Sequence, residues 1–225
     1  EINSYRDTPS ELIYDDFEDM LFEGSSLGRN ILGTPKSISR FATADFRRFV
    51  ESRYVTDRMV FSVVGNISSA RFRQVAEEKF GAIPARRSDY VRTQVASYSP
   101  GCRELSKGTY QSHCIIGGRA CSAMSPERTA VSLMINVLGG PSAGSRLNIA
   151  LRERNGLCYT VEAGFTAYCD TGMATVYFGC DRDNLERCIS LAETEIARMK
   201  EEPLSPRALA IAKRQLLGQI SVASD

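Results

Sequence analysis

The chain has 225 residues, 43% of them hydrophobic and 24% charged, with a formal net charge of +1. That length accommodates one large domain or two modest ones, each around a sizeable core. The near-zero charge offers no field for nucleic acid or an anionic membrane, and no apolar run reaches the roughly 18 residues of a membrane span.

Thr8-Pro9-Ser10-Glu11 opens the first predicted helix, with a capping threonine, a proline at the first helical position and a glutamate three residues after the cap. Leu12, Ile13, Phe17, Met20 and Leu21 line one face of it. Gly24-Ser25-Ser26-Leu27-Gly28 and Gly33-Thr34-Pro35 then punctuate a loop. Thr43 caps a second helix, with Phe46, Phe49, Val50 and Tyr54 at helical spacing. Residues 59–64 are a short β-branched and aromatic run ending at Gly65-Asn66, which reads as a buried strand. Ser68 or Ser69 starts a third helix carrying Phe72, Val75, Ala76 and Phe80, and Gly81 ends it. A stretch from about residue 88 to 102, preceded by Arg86-Arg87, has no sustained apolar face and reads as a linker.

The second half opens with a strand near 109–117. Ser125-Pro126 starts a helix that runs to Leu138. A loop of small residues follows, Gly139-Gly140-Pro141-Ser142-Ala143-Gly144-Ser145, and then a short helix over 146–154. Residues 157–167 and 173–179 are predicted strands joined by Asp170-Thr171-Gly172, a hairpin signal. Leu185, Ile189, Ala192, Ile196 and Met199 mark another helix. Ser205-Pro206 starts a last one, with Leu209, Lys213, Leu216 and Ile220 in register. The fold class is therefore α+β, with helices packed on one face of an antiparallel sheet. The seven cysteines form no C-x-x-C pair and read as small buried side chains in a reducing compartment.

Two stretches go beyond punctuation. One is Glu1-Ile2-Asn3-Ser4-Tyr5-Arg6-Asp7-Thr8-Pro9 together with Leu27-Gly28-Arg29-Asn30-Ile31-Leu32-Gly33-Thr34. The other runs from Gly139-Gly140 through Ser145-Arg146-Leu147 to Leu151-Arg152-Glu153-Arg154-Asn155-Gly156-Leu157-Cys158-Tyr159. The glycines suit a close backbone approach or a lid. They do not make a phosphate loop, because no Lys-Ser/Thr follows them and no strand leads into them.

Taken in order, with Tyr54-Val55-Thr56-Asp57-Arg58-Met59-Val60 leading to Val64-Gly65-Asn66, these stretches resemble the pitrilysin/insulinase family, the zinc peptidases with an inverted H-x-x-E-H motif. The likeness is to its short bacterial and mitochondrial-processing-peptidase-type members. It implies two similar α+β lobes around a substrate chamber, both incomplete in this sequence. Residues 1–87 correspond to the later part of a first, zinc-carrying lobe, 88–102 to a linker, and 103–225 to the early part of a second lobe that closes over substrate. The sequence reads as a piece of a longer chain.

The resemblance also assigns roles. Glu1 matches the family's downstream zinc ligand, but the H-x-x-E-H is absent. His113 is the only histidine and reads as a packed strand residue. A catalytic zinc needs about three protein ligands plus an open position, so zinc is expected in a parent protein and not here. Arg152 and Tyr159 match the arginine and tyrosine that the second lobe presents to substrate, where such donors stabilise the developing oxyanion. Gly139, Gly140 and Arg146 are expected to contact substrate. The implied function is part of a zinc-dependent metallopeptidase acting on peptides or unfolded protein, itself inactive, in a cytoplasmic setting and compatible with a homo- or heterodimer. The alternative is a non-catalytic subunit that shapes the chamber or binds a partner peptidase.

Overall fold

The computed structural model describes residues 2–3, 7–95, 98 and 100–224. In chain order its elements are α1 (Pro9–Leu21), α2 (Pro35–Ile38), α3 (Thr43–Arg53), α4 (Ser69–Phe80), β1 (Ser112–Ala120), α5 (Arg128–Gly139), a π-helical turn (Asn148–Glu153), β2 (Cys158–Ala167), β3 (Gly172–Cys180), α6 (Leu185–Glu201) and α7 (Pro206–Ser224). They group into two compact units, one of residues 1–32 with 94–225 and the other of residues 33–93. This grouping differs from the division expected at 88–102, because α1 packs with the later strands.

The first unit is built on an antiparallel sheet of order β1-β3-β2. The central strand, Gly172–Cys180, is buried along nearly its whole length, which is why it reads as an unbroken apolar run. Alternation sends Val176, Phe178 and Cys180 of β3 to one side, with Cys114 and Ile116 of β1 and Val161, Ala163 and Phe165 of β2. There they meet Ile135 and Leu138 of α5, Leu147, Ala150 and Leu151 around the π-helical turn, and Cys188 and Ala192 of α6. Fully burying one large apolar side chain such as Phe178 contributes roughly 1.5–3 kcal/mol, so this cluster dominates the unit's stability.

The opposite face was expected to lack helices, yet α1 lies on it. Pro9 starts α1 as predicted. Phe17, Leu21 and Phe22 are buried against Met173 of β3, with Ile115 of β1 beside them. The same apolar stripe that made α1 legible as a helix thus decides where it docks.

The second unit is helical. Its helix starts are locally capped: Ser37 N donates to Thr34 Oγ1 at 3.1 Å, Ala42 N to Asp45 Oδ2 at 3.0 Å, and Arg71 N to Ser68 Oγ at 3.2 Å. The predicted caps of α3 and α4 fall within one residue of these positions. Residues 59–64 do not form the predicted strand. They carry no ladder, and Val60 and Val64 are 89% and 100% exposed. A strand exists only through its partner's hydrogen bonds, and the described residues of 33–93 contain no other strand. Residues 86–88 are tied back to this unit, with Arg86 N donating to Thr56 Oγ1 at 2.7 Å and Ser88 N to Asp57 Oδ2 at 2.9 Å.

All seven cysteines are free thiols. Cys158, Cys180 and Cys188 are buried as expected, but Cys102 and Cys169 are exposed, because both sit in loops and not on a packed face. No described helix is long and apolar enough to cross a membrane.

Candidate functional site

A cleft of about 300 Å³ opens where α5 ends beside β2. The loop Gly139-Gly140-Pro141-Ser142-Ala143 forms one wall, Asn148 and Arg152 a second, and Val161, Glu162 and Ala163 the third. The glycine at the helix end is there for contact: a Cβ on Gly139 would stand 2.7 Å from both the backbone nitrogen and the Cβ of Ala163. Only glycine lets α5 run this close to β2. Asn148 then fixes the loop, its side-chain amide donating to Ala143 O at 2.8 Å.

Residues 146–154 were expected as an ordinary short helix. They wind instead as a wider turn, with Arg154 N donating to Ile149 O, five residues back, at 3.0 Å. Such turns are rare and frequent at functional sites. Leu151 and Ala150 point into the core on the helix side of the sheet, and Arg152 is left facing the cleft. Its nearest acid is Glu153 at 4.0 Å, with both side chains more than half exposed, a contact that constrains the guanidinium little. Gly156 closes the turn with φ +61°, and its N–H donates to Arg152 O at 2.9 Å.

Tyr159 goes elsewhere. Cys158 pairs with Cys180 but Thr160 pairs with Gly179, so Tyr159 is the extra residue of a β-bulge. It is 59% exposed. Its hydroxyl donates to Asp181, 3.2 Å from Oδ1 and 3.3 Å from Oδ2, and the nearby carboxylate pushes the phenol's pKa up. Tyr159 does not line the cleft that Arg152 lines, and neither does Arg146. Within the described structure, then, Gly139, Gly140 and Arg152 line one cleft, and Tyr159 and Arg146 are not among its lining residues. Glu1 lies outside the described residues.

Glu162, Asn148, Val161 and Ala163 were not singled out from the sequence. Glu162 had a signal, as the one charge inside the apolar run of β2. Its neighbours Val161 and Ala163 pack on the helix side, so Glu162 falls on the α1 side. There Tyr14 of α1 donates its hydroxyl to Glu162 Oε1 at 2.8 Å, and the Tyr14 ring lies 5.6 Å from that of Tyr177. Burial and the Glu162 carboxylate raise the Tyr14 pKa, which keeps it a neutral donor. Tyr177 in turn contacts His113 Nδ1 through its hydroxyl at 2.9 Å. Burial holds the His113 pKa below its ordinary value, in keeping with a packed strand residue.

Among the described residues no three His, Cys, Asp or Glu side chains converge in a way that could hold a metal ion. Burial pushes the thiols of Cys114, Cys158 and Cys180 up to about 12, 11 and 12, as for packed neutral side chains. The described residues therefore do not fit zinc.

A family model described as the peptidase M16 inactive domain matches residues 40–216. Over its whole length the chain is 29% identical to YmxG, an uncharacterised zinc protease of Bacillus subtilis, and it covers 54% of that protein. It is 28% identical to an uncharacterised zinc protease of Rickettsia felis, again covering 54%. The chain thus spans about half the length of the curated relatives it matches. Among solved structures, the peptidase M16 inactive domain protein of Pseudomonas fluorescens matches with a TM-score of 0.89 at 23% identity, over 96% of this chain and 52% of that one. A protease from Helicobacter pylori matches with a TM-score of 0.81 at 15% identity, over 99% and 55%. At these identities the structures speak for the fold alone.

Proposed function

The chain belongs to the peptidase M16 family, spanning its inactive domain, and from that premise we propose that this domain holds an extended peptide for a larger zinc peptidase. The observation that carries the reading is the juxtaposition of a free strand edge and a cleft. β2 is the outer strand of the sheet on its side, and its residues 161–163 form one wall of the cleft. A free edge is a row of unpaired N–H and C=O groups, to which an extended peptide adds by main-chain hydrogen bonds. Gly139 and Gly140 belong to the facing wall of that cleft. Arg152 supplies donors that fix a peptide carbonyl or carboxylate in register. Peptide or unfolded-protein substrates suit this arrangement, since recognition through the backbone demands an extended chain and little side-chain identity. Hydrolysis itself is assigned to no described residue.

Peptides methylated on alternate backbone nitrogens test the reading directly. Methylating the set of amides that faces β2 should abolish binding to the chain, while methylating the other set should leave it within about twofold. Equal tolerance of both sets would show that no strand pairing occurs.

A second reading, a non-catalytic subunit, draws support from Tyr159. Its hydroxyl donates to Asp181 and it does not line the cleft that Arg152 lines, which favours a structural part for it. Tyr159→Phe in the full-length protein separates the two. Loss of an oxyanion donor typically costs on the order of 100- to 1,000-fold in kcat, whereas a change within about twofold with folding intact assigns Tyr159 to structure.

A further inference from the structure

Arg152 and Glu162 border the same cleft from opposite sides of the sheet. Arg152 extends from the π-helical turn, whose Ala150 and Leu151 are embedded in the helix-side core. Glu162 lies on the other side, with one carboxylate oxygen held by Tyr14 at 2.8 Å. Both are cleft walls, and among the described residues Glu162 has no ion-pair partner. The cleft therefore offers a cation on one side of the β2 edge and an anion on the other.

An extended peptide laid along that edge turns successive side chains to alternate sides. We propose that Arg152 and Glu162 read the charge order of the bound peptide: an acidic residue towards Arg152 and a basic residue towards Glu162, separated in the peptide by an odd number of positions, most simply as neighbours. The rule is geometric. At an even separation both charges point to one side, so one of them meets no partner or a like charge. Parallel and antiparallel pairing both obey it, because neither changes the alternation. Tyr14 is a positioning residue here, since its hydroxyl anchors Glu162 and touches no substrate atom. The inference rests on the strand-pairing reading above and adds the substrate class to it.

The two walls are solvent-accessible, so the effect is a preference and not an absolute gate. Exposed ion pairs of this kind, two acting together, give about a threefold to tenfold difference in affinity. The test uses fluorescein-labelled, end-blocked octapeptides of alternating Thr and Val, titrated against the 225-residue chain and followed by anisotropy. One carries Glu-Lys at its centre, one carries Glu and Lys separated by a single residue, and one carries Gln at both positions. The adjacent pair should bind three- to tenfold tighter than the separated pair, and salt at about 1 M should erase the difference by screening. Glu162→Gln and Arg152→Gln should each shrink the ratio of the adjacent-pair to the separated-pair affinity, and a ratio unchanged in both variants would overturn the rule. Tyr14→Phe, which keeps the ring and deletes the hydroxyl, should shrink the ratio in part.

If adjacent and separated pairs bind equally, the charge-order rule is wrong while strand pairing stands. If none of the three peptides binds, the peptide-holding reading falls and this rule with it. If sedimentation shows a dimer of the chain that outcompetes the peptides for β2 and is indifferent to Glu162→Gln, the edge is occupied by a second copy and the rule is overturned.

Discussion

Residues 59–64 and β3 look alike on paper, each a short run of β-branched and aromatic residues between turn signals, yet only β3 is a strand. β3 has β1 on one side, β2 on the other, helices against one face and α1 against the other. Residues 59–64 have Phe61 stacked on Phe80 at 4.2 Å and otherwise stand open, with Phe61 50% exposed. Helices close their hydrogen bonds within themselves and so appear in both units. A strand is a property of at least two segments, and the sheet-bearing unit supplies the second where the helical unit does not. The unit with the sheet therefore has a core, and the helical unit shows its apolar residues to solvent.

The largest expected effect breaks this contrast by emptying one side of it. Phe178→Ala removes a ring that is 0% exposed, and loss of a buried phenylalanine typically costs about 3–5 kcal/mol. Phe61→Ala, a residue of the same type in the look-alike segment, should cost less, about 0.5–1.5 kcal/mol for the lost stacking on Phe80. Urea unfolding of both variants checks the pair; comparable losses would mean that residues 59–64 are packed in solution.

The smallest effect sharpens the contrast through pH. The only histidine, His113, sits in the sheet unit, and burial lowers its folded pKa beneath the usual 6.5. The folded state thus favours the neutral ring. Its contribution is fully present above pH 6.5 and is lost as pH falls from there through the folded value, because the unfolded chain takes up the proton first. The sheet unit should lose stability over that window, and His113→Gln should flatten the slope there. The helical unit has no histidine and should show no His113-dependent step. Equal slopes for wild type and His113→Gln would remove the assigned cause.

The sequence was legible where structure is local. Thr8-Pro9, Ser68 and the periodic apolar residues placed α1, α3 and α4, because caps and i, i+4 contacts lie within one stretch of chain. The family resemblance also named Gly139, Gly140 and Arg152, and these three line one cleft. The sequence was silent where position depends on a distant segment. Nothing in residues 59–64 says whether a neighbour strand exists. Nothing in 146–154 distinguishes an i, i+5 turn from an α-helix. Glu162 is held by Tyr14, 148 residues away, on one face of a sheet that neither stretch foretells.

The extra residue at Tyr159 has a consequence of its own. Cys158 and Val161 are three apart, an odd count, yet both belong to the helix-side core. The bulge works as a change of parity within a single strand: positions before it follow one counting frame and positions after it the other. Deleting Tyr159 would leave Cys158 and Val161 two apart, so that a regular strand without the bulge keeps Cys158, Val161 and Ala163 on the helix side and Glu162 on the α1 side. A relative aligned to this strand by simple counting, without the one-residue offset, would have every side chain beyond that point assigned to the wrong surface.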